Sequence, residues 1–171
     1  KKRNLGLTAK QKTFLQLFVS AAYLSTLGLS GMHTTYIPFL GNVDIVSGFG
    51  LVFWPIALMF IYGFTNAVNL IDGIDGQCGG LSVIASATFC LFFFKEQNVP
   101  AMFICLSLIC SVMGFLFFNL PLPKAKIFMG DTGSLAVGGI IAVMALCIRK
   151  ELLLPLLCGV FLAEAVSVMV Q

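Results

Sequence analysis

Charged residues are scarce in this 171-residue sequence, which has ten Lys and Arg, seven Asp and Glu, and a single histidine. They make up 10% of the chain, whereas soluble domains carry about 25%. No charge occurs over the 27 residues 45–71 or the 27 residues 97–123. Because a helix needs roughly 20 apolar residues to cross a bilayer, this composition excludes an ordinary soluble domain and predicts an integral membrane protein.

The sequence also lacks the usual cysteine and histidine patterns of metal and redox sites. None of its six cysteines forms a CxxC pair, and most fall in apolar runs, which is typical of small buried side chains. His33 has no second ligand near it and is interpreted as structural or interfacial. A Walker A loop, an EF-hand loop and a cleavable signal peptide are absent as well. These absences argue against disulfides, a histidine metal site and a P-loop.

Continuous apolar runs, in place of alternating ones, predict an all-α polytopic membrane bundle and exclude a membrane β-barrel. The chain is treated as one membrane domain, residues 1–171, with about six transmembrane helices. The expected spans are about 13–31, 46–65, 79–94, 100–119, 133–148 and 152–171. Because the sequence begins without Met and stops inside an apolar run, it is expected to be a piece of a longer protein.

Basic residues are unevenly distributed, with five of the ten in the first twelve positions. If the N-terminus is cytoplasmic, seven Lys and Arg fall on the inside and three on the outside, as the positive-inside rule requires. The N-terminal cluster is therefore interpreted as a topology signal and not as a nucleic-acid-binding surface. The same topology puts loops 66–80 and 119–132 in the cytoplasm, and it makes the outside segment 32–45 an interfacial turn.

The most polar internal stretch is NAVNLIDGIDG, residues 66–76. Asn66, Asn69 and Asp72 recur every three residues and would share one side of a helical turn. Asp72 and Asp75 would repel each other unless a cation or hydrogen-bond donors satisfied them, and the adjacent glycines let a ligand approach the backbone. A polar helix end with capping aspartates is the structural alternative.

The second polar stretch is KAKIFMGDTGSLAVGG, residues 124–139. Asp131 lies between two glycines just before the fifth span. Free N–H groups at a helix start favour a phosphate, and a carboxylate there favours Mg²⁺. Phe128, three residues earlier, could stack on a base or anchor the interface. A helix N-cap is the structural alternative for Asp131.

Glu164 lies inside the sixth predicted span, after Pro155, and an intramembrane acid usually faces a cavity or a partner. This feature would also suit a transporter, which is the alternative class of function. The other acids favour an enzyme, because Asp72, Asp75 and Asp131 are expected at the cytoplasmic mouth and not at the bilayer centre.

NAVNLIDGIDG followed by FMGDTGSLAVGG resembles the polyprenyl-phosphate N-acetylhexosamine-1-phosphate transferases, the glycosyltransferase 4 family. GLTAKQK (6–12) and GVFLAEAVSVMVQ (159–171) add to a resemblance that covers essentially the whole chain and is strongest to members acting in bacterial peptidoglycan synthesis. It implies transfer of phospho-MurNAc-pentapeptide from UDP-MurNAc-pentapeptide to undecaprenyl phosphate, giving lipid I and UMP. It also implies Mg²⁺ as the cofactor and an active site on the cytoplasmic face of the inner membrane. Ile71 replaces a common Thr, so another UDP-N-acetylhexosamine donor is the alternative.

The resemblance further implies roles for individual residues. Asp131 is expected to be catalytic, as the Mg²⁺ ligand, and Phe128 is expected to stack on uracil. The other expected substrate-binding residues are Asn69, Asp72, Asp75, Asn119 and Lys10. The family's aspartate pair and histidine cluster are expected upstream and downstream of this sequence, so the piece alone is expected to be inactive. The lipid bilayer and the two substrates are the expected partners, and a homodimer is the assembly considered.

Overall fold

The computed structural model describes residues 8–29, 34–37, 41–44, 50–120, 125–148, 159–161, 163 and 166–167. Among these residues, long helices dominate and one two-stranded sheet interrupts them. In chain order the elements are α1 (Ala9–Leu29), β1 (Thr34–Ile37), β2 (Gly41–Asp44), α2 (Gly50–Ile71), α3 (Gln77–Lys95), α4 (Val99–Asn119) and α5 (Gly130–Cys147). The predicted helical membrane bundle is confirmed.

Helices of membrane-spanning length account for most of the described chain. Four are long and apolar enough to cross a membrane: Val52–Ile71, Gln77–Lys95, Val99–Asn119 and Gly130–Cys147. α1 has 21 residues, and its first turn carries Lys10 and Lys12. The predicted span 152–171, including Glu164, lies largely outside the described residues.

α2 continues beyond the predicted span 46–65 and ends at Ile71. Asn66 is accommodated inside this helix because its Nδ2 donates a 2.7 Å hydrogen bond to the carbonyl of Tyr62, one turn earlier. The helix then gives way to a turn over residues 72–76. Asn66 and Asn69 are therefore presented by a helix, whereas the two aspartates of the stretch belong to the turn that follows it.

Segment 32–45, predicted as an interfacial turn, contains a short antiparallel hairpin. β1 and β2 pair from Thr34 opposite Asp44 to Ile37 opposite Gly41. The sequence of β1, TTYI, consists of β-branched and aromatic residues, which favour strands. Since each strand has only four residues, the hairpin leaves the helical class of the chain unchanged.

α2 and α5 pack closely because Gly138 has no side chain at their contact. A Cβ added there would lie 3.0 Å from the Cβ of Val68 and 3.1 Å from the Cα of Thr65. Small residues that let backbones approach are typical of helix pairs in membranes. Asn69 contacts Ser134, whereas Thr65, one turn earlier on α2, contacts Gly138, one turn later on α5. The two helices are therefore antiparallel. The end of α2 therefore lies beside the start of α5.

α1 lies against the same end of α2. Gln16 Oε1 accepts a hydrogen bond from Asn66 Nδ2 at 3.2 Å, and Lys12 Nζ donates to Asn69 Oδ1 at 3.3 Å. Because earlier residues of α1 meet later residues of α2, these helices are also antiparallel. Three helix ends, the start of α1, the end of α2 and the start of α5, consequently meet at one end of the bundle.

α3 and α4 form a second antiparallel pair, joined by the short turn 96–98. Gly79 lies against α4, and a Cβ added there would be 2.7 Å from the side chain of Leu116. This packing puts the end of α4 beside the turn that precedes α3. Asn119 and Gly76 meet at that point.

Candidate active site

Four polar side chains form a cluster where α1, α2 and α5 meet: Lys12, Asn69, Asp131 and Ser134. Lys12 Nζ donates to Asp131 Oδ2 at 2.9 Å and to Asn69 Oδ1 at 3.3 Å. Asn69 Nδ2 in turn donates to Asp131 Oδ1 at 3.2 Å and to Ser134 Oγ at 2.7 Å. Ser134 Oγ donates to the carbonyl of Gly130 at 2.9 Å. This polar cluster joins both signature stretches and adds a cation from α1.

The members of the polar cluster differ in exposure, from a buried base to an exposed rim. Ser134 is fully buried, whereas the side chain of Asp131 is 74% exposed and that of Lys12 is 27% exposed. An exposed ion pair of this kind contributes little to stability, typically below about 1 kcal/mol. The rim of the cluster is therefore an accessible carboxylate with a cation beside it, held in place by a buried hydroxyl and an amide.

Asp72 lies next to the start of α5, just outside the polar cluster. Burial raises the pKa of its carboxyl, a backbone hydrogen bond from Gly130 opposes the rise, and the nearby charge of Asp131 adds to it. Asp72 is half-buried, so solvent moderates each of these effects. A cation placed between the two carboxylates would lower the pKa of Asp72 again, because it would offset their repulsion.

Three other predicted site residues are exposed. Asp75 lies on the outer side of the turn 72–76, and Phe128 is 76% exposed in the segment leading to α5. Lys10 is exposed on α1, and among the described residues it makes no hydrogen bond or ion pair with the polar cluster. Asp75 belongs to the turn after α2 and Phe128 to the segment before α5, so both are exposed on loops that adjoin helices of the cluster, whereas Lys10 points elsewhere on its helix.

Asn119 is different from the other predicted residues, because its side chain is buried and satisfied by backbone groups. Its Oδ1 accepts a 2.7 Å hydrogen bond from the N–H of Gly76, and its Nδ2 donates a 2.8 Å hydrogen bond to the carbonyl of Ile127. It is 5% exposed. Asn119 thus connects the turn after α2 with the segment before α5.

Sequence reasoning missed Lys12 as a site residue and named Lys10 instead. Residues two apart on a helix point to different sides, so only one of these lysines can face α2. The available signal was Gln16, one turn after Lys12 on the same face, because a polar pair inside an apolar helix indicates a polar neighbour. Ser134 was not assigned a role from the sequence either, although its spacing of three residues from Asp131 places both on the same face of α5.

The described residues contain no group of three or more His, Cys, Asp or Glu side chains that could hold a metal ion by themselves. Such a group is characteristic of sites in which protein ligands surround the metal. Mg²⁺ sites that act on phosphates usually need only one or two protein carboxylates, with phosphate and water oxygens completing the coordination. Asp131 is the accessible carboxylate of the polar cluster.

An apolar cavity of about 680 Å³ begins beside the polar cluster and runs between α1, α2 and α5, and Phe93 of α3 and Ala101 and Ile104 of α4 also line it. Gln16, Thr65 and Leu135 line it near the cluster, and Val19, Ile61 and Ile140 are among the residues that line it further along these helices. Its walls are therefore mainly hydrophobic, and along α5 they extend from Leu135 to Cys147. A long apolar chain with a polar head is the kind of molecule that such a cavity fits.

Comparison with known proteins gives two consistent results. The family model for glycosyl transferase family 4 matches residues 4–149. The chain is 42% identical over 171 residues to a phospho-N-acetylmuramoyl-pentapeptide-transferase of Bacillus mycoides (strain KBAB4), covering 100% of this chain and 52% of that relative. It is 41% identical, with the same coverage, to proteins of that name from Bacillus thuringiensis (strain Al Hakam) and Bacillus cereus (strain AH187). The chain spans about half the length of the curated relatives it matches.

Proposed function

The chain belongs to glycosyl transferase family 4, and we propose that the full-length protein is the transferase that makes lipid I. It would transfer phospho-MurNAc-pentapeptide from UDP-MurNAc-pentapeptide to undecaprenyl phosphate and release UMP. The observation that carries this proposal is the polar cluster, in which Asn69 of one signature stretch and Asp131 of the other bond directly to each other. The names of the relatives give the substrate class.

The transfer is a phosphoryl-group exchange in which one bond to phosphorus forms and one breaks. A phosphate oxygen of the acceptor forms a bond to the sugar-linked phosphorus, and the bond from that phosphorus to the oxygen of UMP breaks. Such reactions depend chiefly on positioning and on stabilising negative charge. Lys12 supports the proposal because its ammonium lies at the rim of the cluster, where it can bind the diphosphate of the donor. Asn69 holds Lys12 and Asp131 in a fixed relation.

Mg²⁺ fits the chemistry of this site, with Asp131 as its protein ligand. The carboxylate of Asp131 is exposed, and a cation, the ammonium of Lys12, already lies 2.9 Å from its Oδ2. When bound, the metal would neutralise charge on the diphosphate and on the departing UMP. Asp72 would add a second negative charge near the ion without being required as a ligand.

The substrates can be assigned to the two sides of the polar cluster. Phe128 and Asp75 stand exposed on the loops and are proposed to form the nucleotide side, with Phe128 stacking on uracil. The apolar cavity is proposed to take the polyprenyl chain of the acceptor. The acceptor phosphate would then lie next to the cluster, where Gln16 and Thr65 mark the polar end of the cavity.

The proposed orientation puts the polar cluster at the cytoplasmic face of the membrane. The N-terminal lysines precede α1, whose start belongs to the cluster, and positively charged segments are retained in the cytoplasm. A water-soluble nucleotide donor would reach the cluster from that side. A homodimer stays a prediction.

The alternatives have less support from the described residues. Ile71 is almost fully buried in the core, so its difference from a threonine does not change a side chain exposed at the site. A transporter would depend on Glu164, which lies outside the described residues, whereas Asp72 and Asp131 lie at helix ends. A panel of UDP-sugar donors tests the first alternative, since the proposal requires UDP-MurNAc-pentapeptide to be the preferred donor.

The test is UMP release by the full-length protein supplied with UDP-MurNAc-pentapeptide, undecaprenyl phosphate and Mg²⁺. Asp131→Asn should lower the rate about a hundredfold or more, because it removes the charged oxygen ligand. Asp44→Asn, on β2 at the opposite end of α2, is the matched control and should retain full activity. Absence of UMP release from the wild type, or an Asp131→Asn variant as active as the control, would contradict the proposal.

A further inference from the structure

Asn119 is the last residue of α4, and it uses both ends of its carboxamide on backbone groups from two other segments. Gly76 N–H donates to its Oδ1 at 2.7 Å, and its Nδ2 donates to the Ile127 carbonyl at 2.8 Å. The first of these hydrogen bonds is buried and the second is partly buried, so losing either would leave a polar group without a partner, which costs more than losing a surface hydrogen bond.

The two segments joined by Asn119 are those that carry the proposed nucleotide side. Gly76 closes the turn that contains Asp72 and Asp75, while Ile127 directly precedes Phe128. The N–H of Lys126 also donates to the carbonyl of Phe118 at 3.0 Å, so the Ile127 segment is tied to the end of α4 at a second point. The end of α4 is thus the common support of both loops.

Gly76 has little freedom to move once this hydrogen bond has formed. Its φ is +77°, in the left-handed region that favours glycine, and a Cβ added to it would lie 2.4 Å from Leu120 Cδ2. Leu120 directly follows Asn119, so the end of α4 holds the turn by a hydrogen bond on one side and by close packing on the other.

We propose that Asn119 is a positioning residue that sets the spacing between the turn 72–76 and the segment 125–129, and thereby shapes the nucleotide pocket without contacting the nucleotide. This inference rests on the proposed function. It differs from the direct substrate contact predicted from the sequence, because the donor and the acceptor of the side chain are both engaged with backbone and the side chain is buried.

The experiment measures UMP binding to the purified full-length protein by calorimetry, together with the KM for each substrate and the melting temperature. Asn119→Asp keeps the acceptor for Gly76 but sets a carboxylate oxygen against the carbonyl of Ile127. Asn119→Ala removes both hydrogen bonds. Asn98→Asp is the matched control, because Asn98 uses only its Oδ1, as an acceptor at the start of α4, a role that aspartate fills equally well.

Both Asn119 variants should weaken UMP binding about tenfold and raise the KM for the donor similarly, while the KM for undecaprenyl phosphate stays within about twofold. Replacing a residue needed only for folding would lower the melting temperature but would not raise the KM for the donor more than the KM for undecaprenyl phosphate. Asn98→Asp should bind UMP as the wild type does. Unchanged UMP binding in both Asn119 variants, or absence of folded protein in both, would overturn the positioning role.

A double-mutant cycle separates positioning from direct contact. Gly76→Ala should displace the same turn through Leu120 and weaken UMP binding by itself. If Asn119 acts through Gly76, the double variant should be weakened clearly less than the product of the two single effects, whereas a direct contact would give the full product and overturn the inference. Wild-type protein that binds UMP but releases none contradicts the proposed function alone, and protein that binds no UMP contradicts both.

Discussion

The starts of α4 and α5 are built in opposite ways. At α4, the side chain of Asn98 accepts a 3.3 Å hydrogen bond from Ala101 N–H, and a proline occupies the first turn. At α5, Met129 provides no side-chain cap, and the polar partners of Asp131 in the first turn come from other helices, Lys12 of α1 and Asn69 of α2. α4 thus begins through local residues, whereas α5 begins through tertiary contacts.

This difference explains why polar side chains gather at the start of α5 and not at the start of α4, although both helices are apolar. A helix start that is capped by nearby residues does not depend on tertiary contacts, and it presents few polar groups to a ligand. The start of α5 collects Lys12, Asn69 and Asp72 around Asp131, because each depends on the packing of another helix. Changes that disturb this packing should therefore reduce activity, and changes at the start of α4 should affect stability alone.

Among changes that leave Asp131 in place, the largest effect is expected from Lys12→Gln, which removes the cation at the start of α5. UMP release should fall about tenfold to a hundredfold, because a charged hydrogen bond contributes roughly 1.5–3 kcal/mol and the diphosphate would lose its protein cation. Steady-state kinetics at saturating Mg²⁺ measures this loss. Lys95→Gln, in the last turn of α3, is the control and should retain activity. A loss as large from Lys10→Gln as from Lys12→Gln would contradict the assignment of the cation.

A smaller effect is expected when the packing that forms the start of α5 is disturbed at a distance. Gly138→Val puts side-chain atoms where a Cβ alone would already lie 3.1 Å from the Cα of Thr65, so α2 and α5 must separate. The stability of the bundle should fall by about 1–3 kcal/mol, with partial loss of UMP release.

The matched control for Gly138→Val is Gly114→Val on α4. Within the part of the chain that the structure describes, no atom outside the local helix lies within 4 Å of a Cβ added at Gly114, so this variant should melt at the wild-type temperature or slightly above it. Melting in detergent, monitored by circular dichroism, compares the two. Equal destabilisation by the two variants would contradict the prediction, because the loss could then not be attributed to the contact between α2 and α5.

The sequence was sufficient to predict the helical membrane bundle and to place the two signature stretches on the same side of it. Composition determines the first, since long uncharged runs can only be buried as spanning helices. The second follows from residue spacing and from the alternation of loops between the two sides of the membrane. Asn69 and Asp131 accordingly bond to each other, although 62 positions separate them.

Two features could not be predicted, because they depend on how helices rotate and where their ends pack. α1 is apolar on most sides, so Gln16, one turn after Lys12, is the one weak signal in its sequence that favours Lys12 over Lys10 as the lysine facing α2. Asn119 was expected to bind substrate because the family resemblance implied that role, and the uncharged run 97–123 in which it lies does not indicate what its side chain contacts. Its partners are backbone groups of two segments distant in the chain, and backbone groups carry no signal in the residue sequence.

The smallest effect is expected from Asn98→Ala, which tests the local character of the start of α4. Losing the cap should lower stability by about 1 kcal/mol, because the Ala101 N–H loses its acceptor. UMP release per folded molecule should remain unchanged, since the polar cluster lies at the other end of α3 and α4. Parallel melting and activity measurements check both parts, and Asn98→Asp should restore the stability. A severalfold loss of activity at constant folded fraction would show that the start of α4 also supports the site, and the distinction between a local and a tertiary helix start would then fail.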